Sequence, residues 1–266
     1  MNKDNKVKGV IFDIDGTLIF DNQAISGTIE TISILRKAGI LLRFVTNTTG
    51  STSEKLSSKL CELGFDIQSH EIITAVTACL YFIRRTYPNR SGFLAIPDSL
   101  QPQFSEIKQT QIEPDFVVLG DLDDEFDYEI LNRIFNYMRH GAQLITFHRN
   151  PYFFRDSQTW LDSGAFTIAL EYASGQKAIV TGKPAPEIFE KAVISMGLNK
   201  SEVIVVGDDV TSDIQGAKNA SLDWYLVGTG KFKPKHLDKY HIKKEQHIKS
   251  IRNIVNICGL ILESDD

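Results

Sequence analysis

Two aspartates, Asp13 and Asp15, stand at the end of the apolar run Val10-Ile11-Phe12 and are followed at once by Gly16 and Thr17. In a strand, residues i and i+2 share a face. Two carboxylates at that spacing repel each other beside a core unless a cation sits with them. Clustered carboxylates suit a hard divalent cation with oxygen ligands. The same residues, taken alone, also fit a solvated Asp-Gly turn. Three further groups follow in order: Thr46-Asn47-Thr48-Thr49 after Leu41 to Val45, Gly182-Lys183-Pro184 ahead of a helical stripe, and Gly207-Asp208-Asp209 with Asp213 after Val203 to Val206. Each has an ordinary reading by itself: an N-cap, a surface lysine, an acid pair that suits a helix N-terminus. Turn chemistry does not explain all four at strand ends or helix starts in the order acids, hydroxyl, lysine, acids.

Together these groups supply the parts of phosphoryl transfer. Asp13 would attack phosphorus and carry an aspartyl-phosphate. Asp15 would protonate the leaving oxygen and then take a proton from the hydrolytic water. Asp208 would hold Mg²⁺ with Asp13 and the main-chain carbonyl of Asp15. Thr46, Asn47 and Lys183 would position and offset the phosphate oxygens, which is most of the catalysis in this chemistry. Gly16 lets the backbone pass close to the phosphate. Asp213 would orient Lys183 or a metal-bound water, and Asp209 is a further supporting candidate.

These residues need a frame that gathers strand ends. Val7 to Phe12 and Leu41 to Val45 read as strands, and Ile25, Ile29, Ile32 and Leu35 recur at helical spacing. Ser51 and Glu54 form a capping-box pattern ahead of Leu56, Leu60 and Leu63. Glu71 to Tyr87 is expected to be helical, as are Ala165 to Ala173, Glu187 to Met196 and Asp213 to Ala220. Ile248, Ile251, Val255 and Cys258 predict a final helix. Alternating strands and helices imply a doubly wound parallel α/β sheet covered on both faces, with functional groups at the carboxyl ends of its strands.

The motifs Asp-x-Asp-Gly-Thr, Thr-Asn, Gly-Lys-Pro and Gly-Asp-Asp-x-x-x-Asp resemble the four motifs of the haloacid dehalogenase superfamily. The resemblance runs from Val7 to about Leu262 and implies a Rossmann-like core. An acid at Asp15 is similar to the phosphatase branches. A structureless connection between Thr49 and Gly182 is not credible in a compact domain. Residues 80–177 are therefore expected to fold as an inserted α/β domain, leaving 1–79 and 178–266 as the catalytic core. The insertion resembles the C2-type cap of subfamily IIA, and Gly164 to Lys177 followed by Val180 to Pro184 resembles that subfamily's return from cap to core. The resemblance implies a cap that limits solvent access, a small phosphorylated substrate and a possible homodimer through the cap. One departure stands out: many subfamily IIA members carry Thr-Asn-x-Asp in the cap, where this chain has Phe147-His148-Arg149-Asn150. His148, Arg149, Tyr152 and Arg155 are candidates for contacts to the leaving group.

Bulk properties narrow the alternatives. The chain has 266 residues, 42% hydrophobic, and a formal net charge of −5, which offers no general attraction to nucleic acid or an anionic membrane. No apolar run approaches the roughly 20 residues needed to span a bilayer. Met1 to Lys8 lacks the apolar centre of a signal peptide, and Cys61, Cys79 and Cys258 read as buried free thiols, so a reducing cytoplasm is expected. The late lysines, from Lys231 to Lys249, read as a solvated surface. Gly228-Thr229-Gly230-Lys231 lacks the frame of a nucleotide phosphate loop and reads as a strand exit. The six histidines show no metal-ligand spacing on a shared helix face. Two rivals share the strand-end acids: a signalling module phosphorylated on aspartate, and a catalytically idle binding protein. The expectation is a Mg²⁺-dependent phosphohydrolase.

Overall fold

The segment Gly9–Asp13 becomes a strand with all five side chains buried. Three of them, Val10, Ile11 and Phe12, are apolar, which suits a strand buried on both faces of a parallel sheet. The computed structural model describes residues 7–155 and 158–260, with backbone only over 153–155. The chain divides into two compact units. Of the described residues, one comprises 7–46, 51–74 and 183–260; the other comprises 47–50, 75–155 and 158–182.

The first unit holds a six-stranded parallel sheet in the order His247–Ile248, Asp223–Val227, Val203–Gly207, Gly9–Asp13, Leu41–Thr46, Ile72–Thr74. Phe12 pairs with Val206 and Asp13 with Val45. The carboxyl ends of the three central strands are therefore level. Val10, Phe12, Phe44, Ile204 and Val206 form one core with Ile32 and Leu35 of helix Thr28–Lys37, Leu60 of helix Ser53–Glu62 and Ile254 of helix Asn253–Ile257. By the two-residue alternation of a strand, the buried Ile11, Val45 and Val205 face the other way. Helix Pro186–Met196 packs against strands Gly9–Asp13 and Leu41–Thr46.

The second unit has its own four-stranded parallel sheet, ordered Ile179–Val180, Gln143–Thr146, Phe116–Leu119, Gly92–Ala95. Helix Ala75–Thr86 covers one face through Val76, Cys79 and Ile83 against Phe116, Val118 and Ile145. Helices Tyr128–Arg139 and Ser163–Ser174 bring Ile134, Met138 and Leu170 against Val117, Leu119 and Leu144 on the other. Strands Tyr152–Arg155 and Gln158–Leu161 pair as an antiparallel hairpin that the sequence pattern did not reveal.

Several local expectations change. The segment from Glu71 is not one helix: Ile72–Thr74 is a buried edge strand, pairing Thr46 with Thr74, and the helix starts only at Ala75. Its Ile-Ile-Thr run is β-branched and suits a strand. Thr52, not Ser51, caps the following helix, accepting a hydrogen bond from the Lys55 N–H at 3.3 Å. Residues Val210–Ile214 form a π-helical turn, and regular helix spans only Gln215–Asn219. Ile248 belongs to an edge strand. Cys61 is exposed, while Cys79 and Cys258 are buried as expected. Among the described residues no helix is long and apolar enough to cross a membrane.

Candidate active site

Asp13 ends the central strand, and Asp208 directly follows the neighbouring strand Val203–Gly207. Asp213 sits in the π-helical turn after it, and Lys183 precedes helix Pro186–Met196. All four side chains are buried, at 3% exposure for Asp13, 1% for Asp208, 1% for Asp213 and 6% for Lys183. The Lys183 ammonium donates to Oδ1 of Asp13 and lies 2.7 Å from Oδ1 of Asp213. Oδ2 of Asp213 accepts the main-chain N–H of Asp209 at 3.0 Å. Thr17 donates its hydroxyl to Oδ1 of Asp208 at 3.2 Å.

This arrangement fits a divalent cation. Carboxylate oxygens of Asp13, Asp208 and Asp213 lie within 4.8 Å of one another. Among the described residues, Oδ2 of Asp13 is buried without a hydrogen-bond partner. An unsatisfied buried carboxylate oxygen is costly, and cation coordination would satisfy it. Burial, the dominant influence, lifts the Asp13 carboxyl to about 6; Lys183 opposes that rise and Asp208 adds to it. Asp213 is likewise lifted to about 6, by burial and then by Asp13, against the pull of Lys183. Asp208 is raised by burial and by Asp213. Burial works against the charge on Lys183, but Asp13 and Asp213 outweigh it and hold the ammonium protonated, above its ordinary value. The pocket is short of positive charge, the condition that a bound cation relieves.

Asp15 is exposed and lies outside the carboxylate cluster, with the hydroxyl of the buried Thr46 at 3.4 Å from its Oδ2. Gly16 has φ +93°, and a Cβ there would stand 2.7 Å from Cγ of Asp208, so the turn needs glycine for both backbone and space. Asn47 belongs to the second unit. Asp209 turns to other partners. Its Oδ1 accepts from the Thr211 N–H and hydroxyl at 2.8 and 2.7 Å, and its Oδ2 pairs with the Lys231 ammonium at 2.9 Å. Against burial, those contacts hold its carboxyl down at about 2.

Sequence reasoning set aside the loop Gly228-Thr229-Gly230-Lys231, yet it reaches this cluster. The Lys231 main-chain N–H donates to Oδ2 of Asp208 at 2.6 Å, and the Thr229 hydroxyl donates to the Gly16 carbonyl at 2.6 Å. Lys231 is therefore more than part of a solvated lysine run. The signal that could have found it was positional: the loop follows a predicted strand and so belongs to the same carboxyl edge.

The second unit carries a separate polar cluster. Asp121 accepts from the hydroxyls of Thr49 and Ser163 and pairs with His148 Nε2 at 3.2 Å; Asp162 lies 3.9 Å from the same nitrogen. Arg149 is ion-paired with the buried Glu171. Of the residues expected to touch a leaving group, His148 and Arg149 are thus committed to partners within their own unit. Tyr152 is half exposed, and the side chain of Arg155 lies outside the described residues.

Comparison with known proteins gives the family. Residues 10–108 match the family described as haloacid dehalogenase-like hydrolase, and residues 180–254 match the HAD-hydrolase-like family. The chain is 36% identical to haloacid dehalogenase-like hydrolase domain-containing protein 2 of Bos taurus, covering 88% of each chain. It is 30% identical to human phospholysine phosphohistidine inorganic pyrophosphate phosphatase, covering 94% of each. The crystal structure of 4-nitrophenylphosphatase from Thermotoga maritima superposes with a TM-score of 0.84 at 25% identity, over 95% of this chain and 97% of that one. With four ordered motifs converging on one strand edge and an α/β unit inserted between the second and third, the chain belongs to the haloacid dehalogenase superfamily, as a C2-capped phosphatase of subfamily IIA.

Proposed function

We propose that the chain is a Mg²⁺-dependent phosphohydrolase that acts on a small phosphorylated compound through an aspartyl-phosphate on Asp13. The observation that carries this reading is the state of the Asp13 carboxylate: buried, one oxygen on Lys183, the other with no hydrogen-bond partner among the described residues. Asp13, Asp208 and the main-chain carbonyl of Asp15 would hold the cation. When bound, it would offset charge on the phosphoryl oxygens and the neighbouring carboxylates.

The chain's own residues account for the proton and bond changes. A carboxylate oxygen of Asp13 forms a bond to phosphorus as the bond to the leaving oxygen breaks, and Asp15 gives that oxygen a proton. Water then attacks phosphorus, its proton passes to the Asp15 carboxylate, and the Asp13–phosphorus linkage breaks to release phosphate. Lys183 stays charged throughout, because two buried acids flank it, and would neutralise the transferring group. Asp213 positions Lys183. The Thr46 hydroxyl, near Asp15, would steady the acid or a phosphate oxygen, with Asn47 as a further phosphate contact. The names of the relatives extend the substrate range to consider from phosphomonoesters to phosphoamides and pyrophosphate.

The test is hydrolysis of p-nitrophenyl phosphate with EDTA and with added Mg²⁺. Repeated turnover that EDTA stops and Mg²⁺ restores is the expected result, with a hydroxylamine-sensitive phosphoryl label on Asp13. Stable labelling without turnover would indicate a signalling module instead, and neither labelling nor turnover would indicate a binding protein.

A further inference from the structure

Both oxygens of Asp208 are held from elsewhere in the chain. Thr17 donates to Oδ1 at 3.2 Å and the Lys231 main-chain N–H to Oδ2 at 2.6 Å. The second contact exists because strands Val203–Gly207 and Asp223–Val227 run parallel, with Gly207 opposite Leu226. Their exit loops therefore leave the sheet side by side.

Three features fix the second loop in place. The Thr229 hydroxyl donates to the Gly16 carbonyl at 2.6 Å, which ties the loop to the turn after Asp15. Gly230 has φ +52°, and a Cβ there would stand 2.6 Å from Cα of Gly16 and 2.8 Å from Cγ of Asp208. The Lys231 ammonium pairs with Asp209 at 2.9 Å, so one residue holds two consecutive acids, one by its main chain and one by its side chain.

We propose that the Thr229-Gly230-Lys231 loop is a positioning clamp that sets the affinity of the Asp13–Asp208 pair for a divalent cation. Resting on the reading of those two acids as cation ligands, it assigns this further stretch of chain a role in the same site. A carboxylate already oriented by an N–H and a hydroxyl loses little freedom when a cation arrives, whereas a free one must be ordered by the cation. The Lys231 ammonium, engaged with Asp209, plays its part through the loop and not through the substrate.

The experiment measures Mn²⁺ binding to the full chain without substrate, by calorimetry or by the electron paramagnetic resonance of free Mn²⁺. It compares wild type, Gly230→Ala, Thr229→Val and Thr229→Ser, with each variant's Tm in EDTA as the check on folding. Partners that orient metal ligands are typically worth about 10–100-fold in affinity. Gly230→Ala should accordingly raise the Kd for Mn²⁺ about tenfold or more. Thr229→Val should raise it several-fold, and Thr229→Ser, which keeps the hydroxyl, should restore it. The Mn²⁺ concentration for half-maximal hydrolysis of p-nitrophenyl phosphate should shift in parallel, with a smaller loss of kcat at saturating metal. Should Gly230→Ala fail to fold, the Thr229 pair decides. A folded Thr229→Val with the wild-type Kd overturns the clamp and leaves the phosphohydrolase reading standing. A wild-type chain that hydrolyses substrate yet binds no Mn²⁺ overturns both the clamp and the metal dependence.

Discussion

Lys183 Nζ lies 2.7 Å from Oδ1 of Asp213 and donates at the same time to Oδ1 of Asp13, so one buried ammonium serves two buried carboxylates. With Asp208 beside them, three acids face one base in a region almost closed to water. Such an imbalance is unfavourable for folding alone. The consequences can be measured.

Asp13→Asn keeps the size of the side chain and removes both the proposed nucleophile and a buried charge. Turnover of p-nitrophenyl phosphate should fall by about a thousandfold or more if this carboxylate carries the covalent step, as proposed. Far-UV circular dichroism should stay that of the wild type. Retained activity in this folded variant would refute the assignment of the nucleophile.

Replacing the lysine has the opposite charge consequence. Lys183→Met leaves Asp13 and Asp213 buried without their cation, and removing one partner of a buried ion pair typically costs about 3–5 kcal/mol. Urea unfolding at pH 7 should show a loss of that order. The loss should shrink at pH 5, where the stranded acids take up protons. A pH-independent loss would mean that packing, not charge, is what Lys183 supplies.

The raised acids also set how the metal-free protein responds to pH. Asp13 and Asp213 titrate at about 6 in the folded chain, against an ordinary carboxyl value of 3.8. Between those values the folded state holds more protons than the unfolded state, so stability falls as pH rises from about 4 to 6. Lys183 stays charged across that window and contributes no slope there. In EDTA, Asp13→Asn should flatten the fall in Tm between pH 4.5 and pH 7 relative to wild type. Saturating Mg²⁺ should do the same to the wild type. Equal slopes for variant and wild type would contradict the raised carboxyls.

In the second unit, Asp121 accepts from Thr49, Ser163 and His148. Burial opposes its charge, but the hydrogen bond and charge of His148 prevail and hold the carboxyl down at about 2. Asp121→Ala strands three donors, and a buried group left unsatisfied costs about 1–3 kcal/mol. The His148 pKa, raised by Asp121 and Asp162 against the effect of burial, should fall in an NMR titration of this variant. An unmoved histidine would show that Asp121 does not set its charge.

Amino-acid order alone determined the parallel α/β class and the four motif positions. Apolar runs of four to six residues, ending in acids, hydroxyls or glycine, are local patterns, and strand ends on one edge follow from repeated βα units. An inserted unit was implied by the spacing between Thr49 and Gly182, which a structureless connection does not fill in a compact domain. Tertiary structure decided the rest. Ile72–Thr74 is too short to show a period, and only its pairing with Leu41–Thr46 makes it a strand. The partners of Asp208 lie 191 and 23 residues away, at Thr17 and Lys231. Those contacts depend on strand order and register, which no local pattern records. That Asp213 serves Lys183 while Asp209 serves Lys231 likewise depends on how the π-helical turn Val210–Ile214 rotates two nearby acids toward different partners.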